Sequence, residues 1–111
     1  MHKPTQPRVA AVLAALGSPH RLQILRLLSK GERCVCRIAP ALKLDQSVVS
    51  RHLSTLVHAG ILRSRREGRW VFYQIADRRY LAACDMVQRA VASPLRARPV
   101  GPRARKTNSR C

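Results

Sequence analysis

Two cysteines separated by one residue, Cys34 and Cys36, are the part of this sequence best suited to chemistry. Thiolates are soft ligands, and a pair of them suits As(III), Sb(III) or thiophilic divalent ions. Arg33 and Arg37 flank the pair and should favour the thiolate forms. The plainer interpretation is two small cysteines packed at the start of a helix, because free cysteine is often buried. From the residues alone, both interpretations stay open.

The spacing of the pair restricts where it can lie. Residues i and i+2 share a face in extended chain but are ~200° apart on a helix. The pair therefore lies before a helix, or a ligand bound to both sulfurs must unwind the first turn of that helix. Residues 33–38 are ambiguous, and a short helix is predicted over 38–42, because Pro40 is tolerable only in a first turn.

The clearest helix is predicted over Gln46–His58, after a turn of three residues in which Asp45 is the candidate N-cap. This is helix-turn-helix spacing, in which the second helix enters the major groove of DNA. Its apolar face holds Val49, Leu53 and Leu56, and Gly60 ends it. Glutamine can read adenine and arginine guanine, a valine can contact a thymine methyl, and serines can hold phosphates or bases. The candidate DNA-reading residues are Gln46, Ser47, Val48, Ser50 and Arg51.

After Gly60 the apolar period changes from that of a helix to that of a strand. Two strands are predicted over 61–66 and 69–76, with a turn at Glu67 and Gly68. This hairpin makes the motif winged. We expect its aromatic residues to pack on the helices in preference to stacking on bases. Its arginines are predicted to clamp phosphates or the minor groove, and they are Arg63, Arg65, Arg66 and Arg69.

Three further helices are predicted over 7–16, 19–29 and 78–92, the last two capped by Ser18 and Asp77. The fold class is therefore mainly α with a β-hairpin, a winged helix-turn-helix in the order α-α-α-α-β-β-α. The first and last helices carry apolar residues that one small protomer can hardly bury alone.

The chain has 111 residues and a net charge of +17, which indicates one small domain with an anionic polymer, nucleic acid first, as its partner. Residues 1–93 are predicted to fold, and residues 94–111 to form a basic, proline-containing disordered tail. No signal-peptide pattern or apolar run of the ~18 residues of a membrane span is present. We therefore expect a cytoplasmic protein that contacts no membrane. No nucleophile, base and orienting residue occur at a credible spacing, so neither an enzyme nor a catalytic cofactor is predicted.

Four segments in order resemble the ArsR-type metalloregulatory repressors, and within them the arsenical-resistance branch: LGSPHRLQIL at 16–25, ERCVCRI at 32–38, QSVVSRHL at 46–53 and AGILRSRREGRWVFY at 59–73. The resemblance covers about residues 9–92. It implies a homodimer, formed through the first and last helices, that binds double-stranded operator DNA. It further implies that As(III) or Sb(III) bound to Cys34 and Cys36 acts as inducer and releases the DNA.

The sequence departs from that pattern at two positions. Many arsenical repressors have a third cysteine where Ala39 stands, and an acidic residue where Arg37 stands. A three-coordinate ion would therefore need Cys111, less readily Cys84, a small thiol, or no third protein ligand.

Other interpretations stay open. The cadmium- and lead-sensing branch shares the paired cysteines but adds N-terminal ones, and none precedes Cys34. The zinc-sensing branch uses aspartate and histidine on the last helix, which here offers Asp85 and no histidine. A redox switch would require a disulfide in a very small ring, which we expect to be disfavoured. From a different class, a general nucleic-acid-binding protein could use the high positive charge.

Overall fold

A computed structural model describes residues 6–93, so the predicted tail lies outside the described residues. The element order is α1 (Gln6–Leu16), α2 (Pro19–Leu28), β1 (Arg33–Cys34), α3 (Val35–Leu42), α4 (Gln46–His58), β2 (Leu62–Glu67), β3 (Trp70–Ile75) and α5 (Arg78–Ala92). The predicted order is confirmed, with β1 as an addition. The chain divides into two compact units, one ending at Leu81 and the other beginning at Ala82.

The core of the first unit is apolar and is supplied mainly by α2, α3 and α4. The predicted inner face of α4 is confirmed, because Val49, Leu53 and Leu56 are fully buried. Burying each such side chain contributes roughly 1.5–3 kcal/mol. The other large, fully buried side chains are Ile24, Leu25, Leu28, Ile38, Ile61 and Leu62.

Side-chain capping hydrogen bonds mark the starts of α2 and α5. The Ser18 hydroxyl accepts a hydrogen bond from the Arg21 N–H at 3.3 Å, and Pro19 occupies the start of α2, as predicted. The Asp77 carboxylate accepts the N–H of Arg79 at 2.9 Å at the start of α5. Asp45 stands at the N-cap of α4 but its side chain makes no capping hydrogen bond.

The prediction for α3 was wrong at its start. The helix begins at Val35, three residues earlier than expected, and Pro40 is its sixth residue. Pro40 has no N–H to donate to the Cys36 carbonyl, which would be its helical acceptor. The helix tolerates this because Pro40 is exposed and α3 ends two residues later, at Leu42.

The three strands form one antiparallel sheet in the order β1-β3-β2. Glu67 pairs with Trp70, so the hairpin turn is Gly68-Arg69, one residue later than predicted. Gly68 has φ +64°, in the left-handed region that favours glycine. The wing is therefore joined along β3 to the two residues of β1.

The two helices predicted to dimerise leave apolar side chains exposed. In α1, Leu16 is buried, whereas Val9 and Leu13 are 52% and 63% exposed. In α5, Val87 and Val91 are likewise exposed. Among the helices that the structure describes, none has the length and apolarity needed to cross a membrane.

Candidate ligand site and nucleic-acid interface

Cys34 is both the last residue of β1 and the N-cap of α3. Its backbone is extended, at φ −82° and ψ 152°, and its Sγ accepts a hydrogen bond from the Cys36 N–H at 3.2 Å. Cys34 is buried, whereas Cys36, in the first turn of α3, is exposed. Cys34 therefore lies before the helix and Cys36 lies in its first turn. The spacing of the pair had allowed either location.

The sulfurs of Cys34 and Cys36 are joined to each other as a disulfide. This is the small ring that a redox switch would require. The extended backbone at Cys34 followed by the helical turn at Val35 brings the two Cα atoms to 5.2 Å, within the range of disulfides.

A solvent-open pocket of about 530 Å³ lies beside the pair. It combines cationic, acidic, aromatic and sulfur groups, and its lining residues are Glu32, Arg33, Cys34, Cys36, Arg37, Trp70 and Phe72. Trp70 is 50% exposed, so the expectation that all the aromatic residues of the second strand pack on the helices is wrong for this one. The hairpin end of β3 thus contributes to the surroundings of the thiols.

An acidic residue beside the thiols holds one of the wing arginines. The Arg65 guanidinium donates to both carboxylate oxygens of Glu32, at 2.7 and 2.8 Å. These hydrogen bonds lower the pKa of Glu32 below its ordinary value. Arg65 also lies 4.8 Å from the centre of the Phe72 ring and 3.3 Å from the Glu67 carboxylate. Sequence reasoning missed Glu32, because this contact joins residues 33 positions apart.

Within the described residues, the sulfur atoms that line this pocket are those of Cys34 and Cys36. Among residues 6–93, no group of three histidine, cysteine or acidic side chains is placed to hold a metal. Cys84 belongs to the second unit, where it is half-buried. Burial, and then the charge of Asp85, raises the pKa of its thiol. Cys111 lies outside the described residues.

The predicted reading side of α4 faces solvent. Its polar candidates are exposed and Val48 is half-buried, while the opposite side of the helix lies in the core. The exposed residues are Gln46, Ser47, Ser50 and Arg51.

The four wing arginines are exposed but are not equivalent. In the strand register, Arg63 and Arg65 lie opposite Gln74 and Phe72, on one face, and Arg66 lies opposite Val71, on the other. Within the part of the chain that the structure describes, Arg65 alone among these four forms an ion pair. The charges of Arg63, Arg66 and Arg69 are therefore the more available to an anionic partner.

Two histidines, one on α2 and one on α4, are in ring contact. The rings of His20 and His52 are 5.5 Å apart. Burial is the main cause that lowers the pKa of His52, followed by the charges of Arg21, His20 and Arg51. His52 is half-buried at the edge of α4.

Comparison with known proteins identifies the same motif. The family model described as "Bacterial regulatory protein, arsR family" matches residues 18–64. An uncharacterised HTH-type transcriptional regulator of Methanocaldococcus jannaschii is 47% identical over 73 residues, which cover 65% of this chain and 82% of that protein. The arsenic resistance transcriptional regulator of Pseudomonas putida is 43% identical over 65 residues, 58% of this chain. The match spans only 51% of that regulator's length.

A solved structure supports the fold. The homodimeric winged helix-turn-helix DNA-binding domain of a possible ArsR-family regulator from Mycobacterium bovis superposes with a TM-score of 0.73 at 34% identity. The superposition covers 86% of this chain and 94% of that domain. Sequence and architecture thus agree on a winged helix-turn-helix of one regulator family.

Proposed function

This chain belongs to the ArsR family of DNA-binding transcription regulators, and from that premise we propose that it is a repressor that leaves its operator when As(III) or Sb(III) binds Cys34 and Cys36. Its family and fold are those of a regulator that binds DNA and not those of an enzyme. Arsenic resistance is recorded in the name of the Pseudomonas putida relative, and this chain carries a thiol pair suited to the same element.

The observation that carries the proposal is the position of the thiols at the junction of β1 and α3. Helix α3 packs on the recognition helix α4, and Ile38 of α3 is fully buried in the shared core. Protein interiors are close-packed, so a displaced α3 shifts its neighbours. A ligand that pulls on Cys34 and Cys36 therefore acts at the start of the helix that positions the reading side.

The donor set fits a thiophilic ion. When reduced, Cys34 and Cys36 supply two soft sulfurs, and Arg33 and Arg37 in the same pocket favour their thiolate forms. The disulfide must be reduced before either sulfur can bind an ion. For a third ligand we retain Cys111 or a small thiol as the candidates, because no third histidine, cysteine or acidic side chain of residues 6–93 is grouped with the pair.

We assign DNA reading to the exposed side of α4 and phosphate contact to the wing. Arg51 and Gln46 are exposed near the N-terminal half of α4, where base edges are reached. In the wing, Arg63, Arg66 and Arg69 contact phosphates or the minor groove, and Arg65 does so in competition with Glu32. The DNA partner is double-stranded operator DNA.

We also propose a homodimer formed through α1 and α5. Each helix leaves aliphatic side chains more than half exposed in the single chain, among them Leu13 and Val91. The Mycobacterium bovis domain is homodimeric. A dimer places two recognition helices one DNA turn apart, which suits a palindromic operator.

The test is a mobility-shift titration of operator DNA, selected by repeated binding from a random duplex pool, with arsenite as the ligand. A phosphine reductant keeps the thiols reduced without chelating arsenic as dithiols do. Saturating arsenite should weaken DNA binding roughly 5- to 150-fold, the usual range of coupling between two sites. Cys34→Ser and Cys36→Ser should bind DNA as the wild type does and ignore arsenite.

The matched control is Cys84→Ser, which removes a thiol outside the pair. If Cys84→Ser keeps the response, Cys84 is not a required ligand. Retention of the arsenite response by Cys34→Ser would overturn the proposal. Release by cadmium and not by arsenite would assign the pair to another soft metal, and binding without sequence preference would indicate a general nucleic-acid-binding protein.

The disulfide itself favours a second candidate function, sensing of oxidants. Oxidation would join the two sulfurs and release two protons and two electrons to the oxidant. In the same titration, a sample treated with the thiol oxidant diamide and no arsenite tests this function. Release of DNA by the oxidant should then require both Cys34 and Cys36.

A further inference from the structure

The thiol segment and the wing are joined by a row of side chains that runs across the whole sheet. Cys34 on β1 pairs with Phe72 on β3, and Phe72 pairs with Arg65 on β2. Directly paired residues of neighbouring strands point to the same face. The three side chains therefore stand side by side on one face of the sheet, with Phe72 in the middle.

The side chain of Glu32, which precedes β1, reaches the β2 end of this row. It lies two residues before Cys34, and its carboxylate accepts both hydrogen bonds of the Arg65 guanidinium, at 2.7 and 2.8 Å. A bidentate pair of this kind fixes the orientation of both groups as well as their separation. The Arg65 guanidinium also stacks over Phe72, 4.8 Å from the ring centre.

From this geometry we infer that Glu32 is a positioning residue that transmits displacement of the Cys34–Cys36 segment to the wing through Arg65. The inference rests on the proposed function for its ligand, since it describes how that site acts on DNA binding. Ligand binding would then act on DNA contacts in two ways, through the packing of α3 on α4 and through the sheet to the wing. Because β1 is only two residues long, few backbone hydrogen bonds hold the segment to the wing, and the side-chain bridge adds a second connection.

The bridge is not a source of folding stability, which makes it testable. The side chains of Arg65 and Glu32 are 47% and 28% exposed, and exposed ion pairs stabilise proteins little. Replacing Glu32 should therefore leave the melting temperature close to that of the wild type. A change in the ligand response would then report the connection and not a loss of structure.

The chain supplies a matched control at the other carboxylate on the same arginine. Glu67 lies 3.3 Å from Arg65 but stands at the tip of the hairpin, away from β1 along the strand. Glu32→Gln and Glu67→Gln make the same chemical change. Each removes one negative charge and one partner of the same guanidinium. Any general effect of charge on DNA affinity is therefore common to both variants.

The experiment measures the ratio of operator affinities without and with saturating arsenite, and arsenite binding to the DNA-free protein. In Glu32→Gln we expect the affinity ratio to fall at least about fivefold, toward the lower end of usual coupling factors, with arsenite binding changed less than twofold. Glu67→Gln should keep the wild-type ratio. Arg65→Gln should reproduce Glu32→Gln, and the double variant should add nothing further. An unchanged ratio in Glu32→Gln, or an equal fall in Glu67→Gln, overturns the inference.

A measurement without ligand separates this inference from the proposed function. Amide hydrogen exchange of the reduced protein should speed up in β2 in Glu32→Gln and not in Glu67→Gln, except at the hairpin tip. If the wild type ignores arsenite but this exchange pattern appears, the proposed inducer is wrong and the connection stands. If exchange in β2 is unchanged in Glu32→Gln, the connection does not exist.

Discussion

At the scale of single residues, Cys34 unites features that usually belong to different positions. It ends a strand, caps a helix through its sulfur and lies beside Cys36 in the pocket. The sequence predicted the pair and its relation to a helix start, because the i, i+2 spacing restricts the backbone. It did not predict the cap, because the rule that admits proline only in a first turn moved the expected start of α3 to Ile38.

Glu32 shows a different limit at this scale. Its contact with Arg65 depends on the pairing of β1 with β3 and of β3 with β2. A strand of two residues carries no alternation that a sequence could display. The acidic residue that contacts the wing was therefore hidden from pattern reasoning, although its neighbours Arg33 and Cys34 were not.

His52 should make folding stability depend on pH. Its folded pKa is below the ordinary 6.5, so between these two values the unfolded chain binds a proton that the folded chain resists. The free energy of unfolding should thus be unaffected by this group above pH about 6.5 and should fall as the pH drops below it. Urea unfolding at a series of pH values checks this.

His52→Gln should remove that part of the pH dependence. The control is His58→Gln, which makes the same change at an exposed position of the same helix. An identical decline in wild type and His52→Gln would show that another group is responsible.

At the scale of elements, our proposal gives α4 and the wing different roles on DNA, base reading for α4 and phosphate contact for the wing. Helix α4 was predicted with its full bounds, because thirteen residues give the helical period enough room to show. The hairpin was predicted with its turn one residue early, because both Glu67-Gly68 and Gly68-Arg69 contain the glycine that the turn requires, and the pairing of Glu67 with Trp70 decides between them.

This division predicts different defects for two arginine variants. Arg51→Gln should reduce discrimination between operator and mismatched DNA, since a lost bidentate base contact is worth roughly 1–3 kcal/mol of specificity. Arg66→Gln should weaken binding to all sequences alike and reduce the slope of log K against log salt by about 1. Fluorescence-anisotropy titrations over several salt concentrations measure both quantities. A sequence-dependent defect in Arg66→Gln, or a uniform one in Arg51→Gln, would contradict the assignment.

At the scale of the whole molecule, apolar surface is left over after folding. The sequence predicted that the first and last helices carry more apolar surface than one protomer can bury, and Val9, Leu13, Val87 and Val91 are indeed exposed. The periodicity did not separate the residues of α1 that enter the core, such as Leu16, from those that remain outside. That separation depends on the position of α1 on the other helices, which the sequence does not express.

The proposed dimer predicts that a charge on either helix weakens self-association. Leu13→Glu and Val91→Glu should each raise the dimer dissociation constant at least about tenfold, because a carboxylate would be buried without a partner. Sedimentation equilibrium measures the constant. Gln23→Glu, which introduces the same group at an exposed position of α2, is the control and should dimerise as the wild type does. Wild-type association of both helix variants would place the interface elsewhere.

The exposed aromatic ring at the pocket has a practical consequence. Trp70 is the only tryptophan in the chain, it is half exposed, and it lines the same pocket as Cys34 and Cys36. The tryptophan fluorescence of this protein therefore originates next to Cys34 and Cys36, and quenching by a bound heavy element would report occupancy without any attached dye. Trp70 can therefore serve as a built-in fluorescent probe of ligand binding at this pocket.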